Sequence, residues 1–241
     1  MRVLALDTTT RAGSVALVDG DSVIDERDGD ASRTHAERLP AEILAILAAH
    51  DRTIADVDLF AVASGPGSFT GLRIGIATIQ GLAFVGGRRI VAVPALDALA
   101  QLASREVQPG DAVGAWMDAH RRDVFAALFR AGDAALFAPE RLVPLDAAAV
   151  DDPASTIVRW RAAVGDEVVQ VTGDGAALFA DVIASDAPRW RVARASALAG
   201  AIGRMAVARA ARGETLDPAA LQPLYIRRPD AEVARDRRVA D

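Results

Sequence analysis

The chain opens with apolar runs interrupted by acids and turn residues. Val3-Leu4-Ala5-Leu6 fits a buried strand that stops at Asp7, and Ser14 to Val18 fits a second strand after a turn-like stretch. Asp19-Gly20 is a hairpin signal, and Val23-Ile24 begins a third strand, so an antiparallel meander is predicted. Thr34 and Glu37 have capping-box spacing, and Leu39, Ile43, Ile46 and Leu47 recur at helical period. Pro40 lies inside that pattern and predicts a kink, because it removes the bond to the Ala36 carbonyl. Leu59 to Ala63 reads as a strand, Ser68 to Phe84 as a helix, Ile90 to Val93 as a strand and Ala95 to Ser104 as a helix.

After Gln108-Pro109-Gly110 the pattern restarts. Val113 to Met117 is a strand ending at Asp118, Val124 to Phe129 a second, and Val168 to Val171 a third before a tight turn at Thr172 to Gly175. Strand, acid, turn, strand therefore occurs in both halves, which predicts a duplicated fold. Ser196 can cap an alanine-rich helix ending at Gly213. The residues from Arg227 onward mix arginines with acids and read as a solvated tail.

The helix from Ser68 to Phe84 is apolar nearly all round. Leu72, Ile76, Ile79 and Ala83 form one stripe, Gly71, Gly75, Thr78 and Leu82 a second, and Ile74, Ala77 and Gly81 a third. Such a helix must be covered on more than one side. Each interior glycine costs about 1 kcal/mol against alanine, which makes sense where another backbone comes close. Either deep burial within the chain or a face shared with a second protein satisfies the pattern.

Composition narrows the chemistry. The chain has 241 residues, 51% hydrophobic and 25% charged, enough for one large or two compact domains with a full core. Zero cysteines exclude disulfides, thiolate metal sites and cysteine nucleophiles. A net charge of -6 argues against a large nucleic-acid surface of its own. No apolar run reaches the roughly 20 residues of a membrane span, and Asp7 interrupts the N-terminal stretch early, so neither a membrane nor a secretory route is expected.

The candidate sites are few. Ser64-Gly-Pro-Gly-Ser-Phe-Thr-Gly71 lies between a strand and a helix and could cradle phosphate, but it lacks the Walker Gly-Lys-Ser/Thr. Asp7 and Asp118 end strands where a cleft between lobes would lie; they could handle metal and phosphate, or cap local backbone amides. The turns after them, Thr8-Thr9-Thr10 and Ala119-His120-Arg121, lack a glycine pair. Three scattered histidines offer no metal-ligand spacing, and Gly67-Ser68-Phe69 is no nucleophile elbow, so no catalytic, cofactor or metal residues are assigned.

Gly65-Pro-Gly-Ser-Phe-Thr-Gly-Leu-Arg-Ile-Gly75 resembles the bacterial TsaB (YeaZ) family, as do Leu4 to Thr10, Thr34 to Pro40, Met117 to Ala119 and Pro223 to Arg228. The resemblance implies an α/β, actin-like ATPase fold (the sugar kinase and Hsp70 superfamily), with two similar lobes of mixed sheets flanked by helices. It places a first lobe at 1–105, with a C-terminal helix at about 195–228 packing back on it, a reduced second lobe at 106–194 and a charged tail at 229–241. It implies a non-catalytic, cytoplasmic subunit that needs no cofactor, binds and activates the paralogue TsaD, and acts in threonylcarbamoylation of a tRNA adenosine. The ATPase TsaE joins a larger assembly, tRNA is reached through the complex, and a homodimer forms when the subunit is alone.

The implied partner surface is the first two helices, carried here by Leu39, Ile43, Gly71, Leu72, Ile74, Gly75 and Thr78. On that reading, leucine at position 71 or 75 blocks partner binding and leaves the monomer folded. Two other readings compete. An ATP-dependent phosphotransferase predicts nucleotide binding by the isolated chain. A metalloprotease, a label once given to this superfamily, needs paired histidines.

Overall fold

The computed structural model describes residues 1–227. Two five-stranded sheets share one topology. In the first, β1 (Arg2–Asp7) lies between antiparallel β2 (Ser14–Asp19) and parallel β4 (Leu59–Gly65), with β3 (Ser22–Asp28) and β5 (Arg89–Pro94) at the edges. In the second, β6 (Ala112–Asp118) lies between antiparallel β7 (Val124–Ala131) and parallel β9 (Val169–Thr172), with β8 (Leu142–Asp151) and β10 (Arg191–Ala193) outermost. The duplicated strand, acid and hairpin are thus the matching centres of two matching sheets.

Alternation along each strand sorts residues into layers. Val3, Ala5, Ala16, Val18, Ala61 and Ala63 of the first sheet share one core with Val113, Ala115, Phe125 and Ala127 of the second. Helices α3 (Ala95–Ala103) and α7 (Ala199–Ala211) belong to the same core. The opposite face of the first sheet packs Leu4, Leu6, Phe60 and Val62 with residues of α1 (His35–Ala48) and α2 (Phe69–Gly86). The outer face of the second sheet carries Trp116, Val124 and Leu128, covered by α4 (Pro153–Val164), α5 (Asp174–Leu178) and α6 (Ala180–Asp186).

Helix α1 includes Pro40 within its span. Its start is set as read, with Thr34 N–H and Oγ1–H both donating to Glu37 Oε2, at 2.8 and 2.7 Å. Ser196 does not cap α7. Ser14 Oγ accepts from the Ala199 amide at 3.0 Å, and Glu26 Oε1 accepts from the Gly200 amide at 2.7 Å. The cap therefore comes from the first sheet, far away in sequence. Gly213 is left-handed beyond the helix end, with φ 78°, as expected. Strands β8 and β10 and helices α4 to α6 have no counterpart in the periodicity reading.

The segment after α7 is a strap. Leu216 pairs with Ile90 on β5, Gln80 Nε2–H of α2 donates to Pro218 O at 2.8 Å, and the Leu224 amide donates to Ser64 O at 2.7 Å. Arg227 then donates to Ala119 O at 2.7 Å and pairs with Asp123, both at the β6–β7 turn. Arg227 is therefore held by the second sheet's turn, not solvated. The rest of the expected tail lies outside the described residues.

Candidate functional site

Two features merit comparison, a cleft between the sheets and a groove on the outer helices. The cleft is walled by the β1–β2 and β6–β7 turns and the start of α2. One cavity of about 460 Å³ is lined by Thr9, Thr10, Arg33, His35, Asp118 and Asp174 among others. A second, of about 520 Å³, adjoins Gly67, Ser68, Asp118, His120, Tyr225 and Arg227.

The acids that end β1 and β6 are already engaged. Asp7 Oδ1 accepts from the Thr9 amide at 2.8 Å and from Thr9 Oγ1 at 2.6 Å. Asp118 Oδ1 accepts from the His120 amide at 2.8 Å. Both acids thus form local Asx-type turns. Burial pushes the Asp7 carboxyl above the ordinary range, against the Thr9 bonds that favour its ionised form. Asp174 is also raised, first by burial and further by Asp118, although its Oδ1 accepts from the Asp118 and Gly175 amides at 3.1 and 2.9 Å.

The β6–β7 turn holds three successive non-glycine residues in the left-handed region, His120, Arg121 and Arg122, with φ of 57°, 56° and 69°. Each costs about 1–2 kcal/mol relative to right-handed backbone. The turn has a glycine-type backbone without glycine, and His120 Nδ1 lies 3.2 Å from Asp118 Oδ2.

The glycine loop before α2 is spent on packing. The Ser68 amide donates to Thr9 O at 2.7 Å, and Ser68 Oγ accepts from the Gly71 amide at 3.2 Å. A Cβ on Gly67 would lie 2.5 Å from Thr9 Cβ, and one on Gly71 would lie 2.1 Å from Thr8 O. The Ser68 amide and these close approaches serve the β1–β2 turn, and the Gly71 amide caps α2. Among the described residues, no three His, Asp or Glu side chains converge as metal ligands would.

The groove lies between α1 and α2. It has a volume of about 500 Å³ and is lined by Pro40, Ile43, Leu44, Thr78, Leu82 and Val85, together with Ala77 and Gly81. Leu44 and Val85 in its lining are 60% and 89% exposed, and Phe84, next to Val85 on α2, is 80% exposed. Isolated exposed apolar residues are common, but a contiguous cluster marks an interaction site.

Most of the seven expected interface residues face inward. Leu39, Ile43 and Leu72 are buried, and so are Gly71 and Gly75, which abut Thr8. Only Ile74 and Thr78 are half-exposed, and Thr78 and Ile43 line the groove. The glycines at 71 and 75 are explained by the chain's own β1–β2 turn, not by a partner's helix. A leucine at 75 would collide with the chain itself, since even a Cβ there would lie 2.1 Å from Thr8 Oγ1, so loss of binding in that variant would not isolate a partner contact. Sequence reasoning missed Leu44, Phe84 and Val85, and it put Ala77 and Gly81 on the third stripe of α2 without naming them as interface residues. Leu44 breaks the buried stripe of α1, and Phe84 and Val85 continue the third stripe of α2 beyond Gly81.

Two like lobes of this topology around a cleft define an actin-like ATPase fold. The same fold occurs in a Clostridium difficile activator of 2-hydroxyisocaproyl-CoA dehydratase with bound ADPNP, at TM-score 0.51, 8% identity and coverage of 89% of this chain and 97% of that one. The family model described as TsaD, tRNA N6-adenosine threonylcarbamoyltransferase, matches residues 28–234. A Pseudomonas aeruginosa protein described as similar to the peptidase YeaZ superposes at TM-score 0.74 with 31% identity, over 94% of this chain and 99% of that one. TsaB of Haemophilus influenzae, a tRNA threonylcarbamoyladenosine biosynthesis protein, is 40% identical over 127 residues, 52% of each chain. The match thus spans about half the length of that curated relative. The chain belongs to the TsaB (YeaZ) family.

Proposed function

We propose that this chain is a non-catalytic, cytoplasmic scaffold subunit that docks its α1–α2 groove onto TsaD and activates threonylcarbamoyl transfer to a tRNA adenosine. The observation carrying the reading is the groove itself. Exposed Leu44 and Val85 line the groove together with the small residues Ala77 and Gly81, so a facing helix can approach the backbone closely. An apolar core with aromatic and aliphatic anchors is what a stable interface requires. TsaD suits the groove because the TsaD family model spans most of this chain, which favours paired like surfaces. The same relation supports a homodimer when TsaD is absent, and an assembly with TsaE builds on the heterodimer.

The cleft supports the non-catalytic half of the reading. Asp7, Asp118 and the Ser68 amide, the groups a phosphotransferase would direct at nucleotide, are bonded to the chain's own turns.

Light scattering coupled to size exclusion tests the proposal, on the chain alone and mixed with TsaD from the same organism. A one-to-one species that replaces any homodimer, and is lost with Leu44→Asp or Val85→Asp, is expected. No mixed species well above micromolar concentration overturns it. Stoichiometric ATP binding by the isolated chain would favour the phosphotransferase reading instead.

A further inference from the structure

Helix α1 carries a buried polar pair near its N-terminal end that the docking reading does not use. His35 and Arg38 are 8% and 2% exposed. His35 Nε2 lies 2.9 Å from Thr10 O, and its Nδ1 lies 2.9 Å from Arg38 Nη2. A carbonyl oxygen only accepts and a guanidinium only donates, so Nε2 carries the proton and Nδ1 is a lone-pair acceptor. The two contacts together require a neutral ring.

The same guanidinium gathers three parts of the fold. Its Nη2 also donates to the Ala12 carbonyl, and Nη1 reaches Glu42 Oε1 and Oε2 at 2.7 and 2.6 Å. Gly29 leaves it room, since a Cβ there would land on the guanidinium. Gly13 abuts the ring of His35, since a Cβ there would lie 2.9 Å from Cε1. Two residues further along α1, Pro40 removes a backbone hydrogen bond that would tie the helix to its first turn. The first turn is therefore held to the body by Arg38 where the helix backbone holds it least.

We propose that His35 and Arg38 form a proton-sensitive latch that positions the first turn of α1 on the β1–β2 turn, and through it the α1 wall of the docking groove. Protonating Nδ1 sets N–H against N–H and places a second positive charge beside Arg38. The guanidinium then releases the ring and the Ala12 carbonyl, and the segment ahead of Pro40 loosens. Burial holds the imidazole below the ordinary histidine value, with Arg38 acting in the same direction and the Thr10 bond, Asp7 and Glu42 opposing. Across the adjoining cavity the other titratable groups are Arg11, Arg33, Asp118, His120 and Asp174. The link to docking rests on the groove being the partner surface, whereas the latch itself does not.

The test uses the full chain, alone and with TsaD. By NMR, His35 should titrate below free histidine, and Arg38→Gln should move its midpoint upward. Amide exchange, corrected for intrinsic rates, should lose protection at 38–42 as pH falls below about 6.5. TsaD affinity of the wild type should fall as pH is lowered from 7.5, by less than about tenfold at pH 5.5 because the ring titrates below free histidine, and further at lower pH. His35→Asn, which supplies a non-titrating acceptor for Arg38, should flatten that profile.

An unmoved midpoint in Arg38→Gln, with intact circular dichroism, would overturn the latch. A wild-type affinity independent of pH, or a His35→Asn profile as steep as wild type, would overturn its link to docking. Absence of any complex at all pH values would sink the docking reading, while the titration and exchange measurements would still decide the latch.

Discussion

Thr8 and Gly75 touch where the β1–β2 turn meets the middle of α2. A Cβ on Gly75 would lie 2.1 Å from Thr8 Oγ1, 3.0 Å from Cγ2 and 3.1 Å from Cβ. Gly71 meets the same residue through its carbonyl oxygen, one turn earlier. Two glycines thus let an 18-residue helix lie against a turn that it could not otherwise approach.

Gly75→Ala should cost about 1–3 kcal/mol of folding stability, the range for an overpacked core. Thr8→Ala in the same chain should recover part of the loss by removing the two nearest atoms, although Cβ remains. Urea unfolding of the two single variants and the double variant checks the coupling. Purely additive losses would show that the contact is not the cause.

Gly81 sits on the same helix and has nothing within 4 Å of where its Cβ would be. Gly81→Ala should therefore stabilise the monomer by up to about 1 kcal/mol, the helix-propensity difference. The same methyl enters the groove, so affinity for TsaD should fall as the melting temperature rises. A variant whose stability and affinity move in the same direction would contradict the assignment of this face.

Gln80 ties α2 to the strap through Pro218 O at 2.8 Å and Leu221 O at 3.2 Å. Gln80→Leu should leave both carbonyls without this donor and cost about 1–2 kcal/mol. Hydrogen exchange should show the loss first between 218 and 227, including the Leu224 amide that bonds Ser64 O. Uniform loosening of the whole chain would argue that the strap is not a separable unit.

Asp7 has a folded-state pKa raised above its unfolded value, because burial disfavours the carboxylate more than the Thr9 bonds favour it. As pH rises through the ordinary aspartate range, the unfolded chain releases this proton first, so the group destabilises the fold at neutral pH. Asp7→Asn keeps an Oδ1 acceptor for Thr9 and should raise the melting temperature at pH 7. The gain should vanish below the ordinary aspartate range, where the carboxyl is protonated in both states. A lower melting temperature at both pH values would mean that the negative charge itself holds the turn.

The hydrophobic pattern was enough to define the central strands, the acids that end them and the repeat that relates the two halves. Strands β1 and β6, with Asp7 and Asp118 and the hairpins that follow, rest on short-range alternation and turn chemistry, which act between near neighbours. The motif around Gly65 to Gly75 likewise carried the family. Helix α4 stayed hidden because its buried residues, such as Ile157 and Trp160, are set among exposed arginines and small residues. Edge strand β8 carries a proline and three consecutive alanines and shows little alternation.

The groove and the latch needed the tertiary structure. A glycine in a helix signals that something lies close, but not whether it is the chain's own turn or another protein. Only folding assigns Gly71 and Gly75 to Thr8 and leaves Gly81 facing outward. The cap on α7 has the same character, since Ser14 and Glu26 lie more than 170 positions from the amides they bind. Local sequence fixes which elements form because their energies are local. Which faces remain uncovered is decided by long-range packing, after every element has found its neighbours.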